Sequence, residues 1–310
     1  MTTQFLHRGQ RLGGERFIDP NVLAKIGTLD LIAKSVVHGF ISGLHQAPFL
    51  GLSTDFAEHR PYMPGDDIRR VDWRVYGRTD RLFIKEFQAE TNATVTFLLD
   101  ASRSMSFASH AISKLDYARY LVACLGYLAI KQRDRVGFAA FDDELVSVVP
   151  PSIKHFDRVL HALHQLEANA AGDFGAPMTQ AARLIARKGI VAVVSDFYAD
   201  PEELADALGQ LRHQGHDVMA FHVLDPEEMR LPEGPLVQFQ DMETGARLPV
   251  LAEQVTATYA ERVKAHCDAL ESAFGKQGID YASFNTTDPL DHGLYAYLNR
   301  RRHLRKQRTG

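Results

Sequence analysis

A doubly wound α/β fold with a mostly parallel six-stranded sheet is what this sequence predicts, on three observations. From about residue 93 onward, apolar runs of strand length alternate with segments of helical period. The runs at 94–99 and 190–194 are β-branched or apolar throughout, which suits strands buried on both faces of a parallel sheet. Both run into oxygen-bearing residues, Asp100-Ala101-Ser102-Arg103-Ser104 and Ser195-Asp196, at the carboxyl ends where ligands gather in such sheets.

The elements follow in order. Residues 114–131 place Leu115, Ala118, Leu121, Val122, Leu125, Leu128 and Ala129 at three- and four-residue spacing, a helix that packs on the sheet. Runs at 136–141 and 145–149 are joined by Asp142-Asp143-Glu144, a hairpin whose second member is an antiparallel edge strand. Helical patterns cover 155–167 and 177–187, the second with proline near its first turn. Helix at 201–214, strand at 218–223, helix at 252–276 and strand at 279–284 continue the alternation, and a helix from about residue 290 closes it. Between residues 230 and 250 the runs on either side of Glu243-Thr244-Gly245 form a small inserted hairpin.

The first 92 residues form a separate segment packing on this main domain, which spans 93–302. Residues 22–44 carry Leu23, Ile26, Leu29, Ile32, Val36, Val37 and Phe40 on one face, with charges that rule out a membrane span. A core helix is the expectation. Residues 60–73 set dense charges beside the only tryptophan around the turn Pro64-Gly65-Asp66, so that Asp66, Asp67 and Asp72 are expected to pair with Arg60, Arg69 and Arg70. Residues 303–310 form a basic tail.

At 310 residues, 45% hydrophobic and 24% charged, the chain has the content of a soluble protein with a large core. Two cysteines far apart in sequence give neither a disulfide framework nor metal-ligand spacing. No stretch is long and apolar enough for a membrane span, and the first ten residues lack the core of a secretory signal, so a cytoplasmic location is expected. The net charge of −4 hides an asymmetry: six arginines and lysines fall between residues 300 and 308. No aromatic residue interleaves with them, so they give no specific nucleic-acid signal, and a solvated terminus is the simpler reading.

The segment after the 94–99 run offers a carboxylate and two hydroxyls at alternate positions, Asp100, Ser102 and Ser104, hard oxygens suited to Mg²⁺ or Mn²⁺ rather than zinc. If the first and fourth strands are neighbours across the point where strand order reverses, Asp196 faces the same cavity, and two carboxylates there favour a cation. The competing reading is that Asp100 and Ser102 only cap the following helix. Catalytic alternatives lack their residues. There is no Gly-x-Ser-x-Gly elbow for a serine hydrolase and no phosphate-binding Gly-x-x-x-x-Gly-Lys loop. A haloacid dehalogenase-like Mg²⁺-dependent phosphatase would use Asp100 as nucleophile and the later Asp196-x-x-x-Asp200, but needs a general acid where this chain has Ser102.

The residues Gly65-Asp66-Asp67-Ile68-Arg69-Arg70-Val71-Asp72-Trp73, then Asp100-x-Ser102-x-Ser104-Met105, then Ser195-Asp196-Phe197, resemble the bacterial domain of unknown function 58 family from about Gly39 to Arg302. The resemblance implies a von Willebrand factor A-like body with a metal-ion-dependent adhesion site, in which two serines and a threonine bind Mg²⁺ directly and two aspartates act largely through waters. Asp100, Ser102, Ser104 and Asp196 match four of the five places. The fifth departs: Gly172 stands where relatives have the threonine, and Asp173 or a water would have to fill the gap. The resemblance further implies a non-enzymatic interaction module, with a partner's acidic side chain completing the ion's coordination. Family genes often neighbour those of MoxR-type AAA+ ATPases, which implies an adaptor or co-chaperone partnered with such an ATPase.

Overall fold

The computed structural model describes residues 28–46, 58–63, 71, 73–86, 93–168, 172–230, 237–240, 247–250 and 252–297. Its centre is a six-stranded sheet of β3 (Thr94–Asp100), β4 (Arg135–Phe141), β5 (Leu145–Ser152), β6 (Ile190–Ser195), β7 (Asp217–Leu224) and β10 (Asp280–Asn285), in the order β10-β7-β6-β3-β4-β5. Every pairing is parallel except β4 with β5, the edge hairpin that the short acidic connection predicts. After β3 the chain builds outward through β4 and β5, then returns to lay β6 on the other side of β3. The strand order therefore reverses between β3 and β6, where Leu99 pairs with Val194.

Side chains on successive strand residues point to opposite faces, and the two faces bury different clusters. Val95, Phe97 and Leu99 of β3, Ala192 and Val194 of β6, and Phe221 and Val223 of β7 belong to one. Leu98, Val191, Val193, Val218 and Ala220 belong to the other. Each fully buried aliphatic or aromatic side chain contributes about 1.5–3 kcal/mol relative to exposure, so a sheet covered on both sides accounts for the unbroken apolar runs. Gly189 lets β6 begin tight against β3, since a Cβ there would collide with the Thr94 carbonyl.

The first face is covered by α1 (Leu29–Gln46), α3 (Lys114–Lys131), α4 (Phe156–Gln165) and the helix at 291–297, which carries the buried Leu294 and Tyr297; α2 (Trp73–Thr79) lies among the earlier residues. α1 is the expected core helix: Ile32, Ala33, Val36, Val37 and Phe40 are buried, and Phe40 meets Tyr295 edge-on at 4.7 Å. The second face is covered by α5 (Gly175–Leu184), α6 (Pro201–His213) and α8 (Ala252–Lys276). A one-turn helix, α7 (Pro226–Met229), follows β7.

The described residues include two further two-stranded antiparallel sheets. β1 (Glu58–Pro61) pairs with β2 (Phe83–Glu86), and β8 (Val237–Gln240) with β9 (Arg247–Val250), the latter being the hairpin expected between 230 and 250. Most of the charged segment at 60–73 and the basic tail lie outside the described residues, as does the start of the helix expected at 22–44. Both cysteines are free thiols, Cys124 buried and Cys267 half-buried. No helix among the described residues is long and apolar enough to cross a membrane.

Candidate functional site

A cleft of about 600 Å³ opens at the carboxyl edge of the sheet, lined among others by Asp100, Ser102, Ser104, Gly172, Asp173, Phe174, Asp196, Tyr198 and Glu228. It lies at the β3/β6 reversal. Four residues singled out from sequence, Asp100, Ser102, Ser104 and Asp196, meet there although Asp100 and Asp196 are 96 positions apart.

Local hydrogen bonds fix each of them. Asp100 is buried at the end of β3, where Oδ1 accepts the backbone N–H of Ser102 at 2.8 Å and Oδ2 accepts the Ser195 hydroxyl at 2.6 Å. Ser195 Oγ in turn accepts the N–H of Phe197 at 2.9 Å, holding Phe197 at a φ of 48°, the left-handed region that non-glycine residues rarely adopt. The Ser102 and Ser104 hydroxyls are 3.1 Å apart, on the loop that opens into a 3₁₀ turn at Arg103–Ser106. Ser102 makes no side-chain cap to that turn, whereas Asp100 does bond the Ser102 N–H. Capping thus accounts for part of one carboxylate and for neither hydroxyl.

Burial pushes the Asp100 carboxyl up to about 7, and the charge of Asp196 adds to the rise against the pull of the Ser195 and Ser102 hydrogen bonds. Two close carboxylates in a low-dielectric setting favour a cation between them. The hydroxyl and carboxylate donors fit Mg²⁺ or Mn²⁺ chemistry. They are few in number: among the described residues no three of His, Cys, Asp and Glu gather as a metal cluster, so any ion here would take its remaining ligands from hydroxyls or waters.

Gly172, where the resemblance implies a threonine, also lines the cleft. A Cβ built on Gly172 would stand 2.7 Å from Ser102 Cβ and 3.3 Å from Ser102 Oγ, so the loop brings residue 172 against the first serine with no room for a side chain. Asp173 lines the cleft beside it. Its carboxylate accepts backbone N–H bonds from Phe174 at 2.8 Å, Gly175 at 3.3 Å and Ala176 at 3.4 Å, at the start of α5. Asp200, the later aspartate of the phosphatase alternative, caps α6 by accepting the N–H groups of Glu202 and Glu203.

Sequence reasoning missed Lys114 and Glu228. Lys114 opens α3 behind the cap Ser113, and its ammonium donates to Asp196 Oδ2 at 2.7 Å and to Glu228 Oε1 at 2.6 Å. Burial pulls its pKa down, but the two carboxylates outweigh that and leave it raised. Glu228 is itself raised by burial, against the pull of Lys114. A lysine in a first helical turn normally faces solvent, so no periodicity marks this one as interior. Glu228 had a visible signal in Asp225-Pro226-Glu227-Glu228, a capping box in which Asp225 N–H donates to Glu228 Oε2 at 2.9 Å.

Comparison with known proteins bears out the family resemblance. A family model described as "Protein of unknown function DUF58" matches residues 58–269. Uncharacterized proteins Mb1516 of Mycobacterium bovis and Rv1480 of Mycobacterium tuberculosis are each 29% identical over 232 residues, 73% of this chain and 73% of theirs. Among solved structures, an aerotolerance-related membrane protein from Bacteroides fragilis aligns with a TM-score of 0.47 at 16% identity, over 66% of this chain and 97% of that one. The VWA domain of SpRpn10 aligns with a TM-score of 0.41 at 14% identity, over 66% and 94%.

Proposed function

Starting from the fact that this chain belongs to the DUF58 family, we propose that it is a non-enzymatic protein-protein interaction module whose working surface is the cleft at the β3/β6 reversal. The observation that carries the reading is the meeting of Asp100, Ser102, Ser104 and Asp196 in one cleft. In this proposal the four residues hold Mg²⁺ or Mn²⁺, with Asp173 on the rim beside Gly172 placed to steady a water. A divalent ion held mainly by neutral hydroxyls stays electron-poor and attracts a glutamate or aspartate from a partner. Asp100 and Asp196 supply the negative charge, while the serine pair sets the geometry.

The partner proposed is a MoxR-type AAA+ ATPase, with this chain as adaptor or co-chaperone in the cytoplasm. The family resemblance supports that choice, and the absence of a Gly-Lys-Ser/Thr phosphate loop means that ATP hydrolysis belongs to the partner. Calorimetric titration of Mg²⁺ and Mn²⁺ into the wild type and Asp100→Ala tests the ion: binding to the first and none to the second is expected. Capture of the ATPase by the wild type in Mg²⁺, lost in chelator and in Asp100→Ala, tests the partner. No complex in either medium would remove the ATPase from the proposal.

A further inference from the structure

Lys114 is 0% exposed, a burial that a lysine tolerates only when its charge is matched. Its ammonium reaches two carboxylates from two other elements, Asp196 at the end of β6 and Glu228 on α7, and lies 4.9 Å from the centre of the Tyr198 ring. The set of hydroxyls and aspartates proposed for the ion contains no such group. Asp100, Asp196 and Glu228 all line the cleft, and Lys114 is the cation that meets the last two.

We infer that Lys114 is a built-in cation of this cleft: its ammonium joins Asp196 to Glu228 and keeps the cleft in shape whether or not a divalent ion is bound. Lys114 is too deep for a partner to touch, so it is a positioning residue and acts through Asp196. By occupying Asp196 Oδ2 it also restricts how that carboxylate turns toward an ion. Because Glu228 shares the same ammonium, α7 is tied to the cleft by an ionic link as well as by the chain leaving β7. The inference rests on the cleft proposed above as the working site, and not on metal uptake by the wild type.

The test is thermal denaturation of the full chain as wild type, Lys114→Met and Lys114→Met/Glu228→Gln, in chelator, in MgCl₂ and in KCl of equal ionic strength. Lys114→Met is expected to lose roughly 10 °C in chelator, as breaking a buried ion pair does in a domain of this size. Mg²⁺ should restore at least half of that loss and KCl none of it, because an external cation takes over from the ammonium. The double variant removes one carboxylate along with the cation, so it should melt above Lys114→Met in chelator and gain less from Mg²⁺. A purely packing role for Lys114 predicts equal losses in all three media and no recovery in the double variant, and either result overturns the inference. Should Lys114→Met fail to fold in every medium, the double variant decides: folding supports the inference and failure overturns it. Mg²⁺-dependent stability in Lys114→Met with no Mg²⁺ binding by the wild type would uphold Lys114 and remove the metal from the proposed function. Binding by the wild type with no Mg²⁺ rescue of the variant would do the reverse.

Discussion

Ser195 Oγ donates to Asp100 Oδ2 at 2.6 Å, a bond between residues 95 positions apart that joins the ends of two adjacent parallel strands. The same oxygen accepts the N–H of Phe197, so one hydroxyl fixes both a buried carboxylate and the left-handed turn that follows. Ser195→Ala leaves both partners short of a bond in a buried setting. A loss of about 1–3 kcal/mol in urea unfolding is expected, and a variant as stable as the wild type would show that the bond is incidental.

The cleft carboxylates differ in how deeply they are buried. Asp173 bonds the first turn of α5 and sits at an exposed rim, whereas Asp100 is buried at the centre. If the cleft takes Mg²⁺ as proposed, Asp173→Ala should weaken binding by less than about tenfold, a factor worth 1.4 kcal/mol, and Asp100→Ala should abolish it. Calorimetric titration of the two variants side by side reads the contrast, and equal losses would make Asp173 a direct ligand.

A threonine at Gly172, the residue the family resemblance implies there, is not expected to fit. Gly172 lies so close to Ser102 that any Cβ must push one of the two loops aside. Gly172→Thr is expected to destabilise the chain by about 1–3 kcal/mol, the usual effect of overpacking, with no gain in Mg²⁺ affinity. A tighter, equally stable variant would mean that the loop yields freely.

His222 contributes stability that is lost in acid. It is fully buried on β7, Nδ1 lies 2.6 Å from the Tyr281 hydroxyl, and burial holds its pKa down at about 3. The unfolded chain takes up a proton near pH 6.5, which the folded chain refuses until about pH 3. Its contribution is therefore undiminished above pH 6.5 and is lost as pH falls through that window. Between pH 7 and pH 5 this one group should cost about 2 kcal/mol of unfolding free energy. Asp100, pushed up to about 7, acts in the opposite sense over the same range, so the check is the unfolding free energy of the wild type relative to that of His222→Gln, which should fall by about 2 kcal/mol from pH 7 to pH 5 in denaturant titrations.

The fold was legible wherever burial leaves a pattern in the chain. β3 and β6 are covered on both faces and read as unbroken apolar runs, and Asp142-Asp143-Glu144 is too short a connection for anything but an antiparallel return. Asp100, Ser102, Ser104 and Asp196 were legible because parallel strands present their ligands at one edge. Lys114 was not, because the carboxylates that make its burial tolerable lie 82 and 114 positions further along. A charge buried against distant partners leaves no periodicity, and only the assembled sheet shows where it points. Gly172 was legible as a departure from the family motif, but its contact with Ser102 depends on how two loops approach in space.

The strand order has a further effect on when the cleft exists during synthesis. Its first wall, the loop after β3, leaves the ribosome some ninety residues ahead of its second, the end of β6, and Glu228 follows later still. A nascent or truncated polypeptide ending before residue 196 therefore carries the serines with no opposing aspartate. A partner of the kind proposed would find its full set of contacts only on chains complete to Glu228.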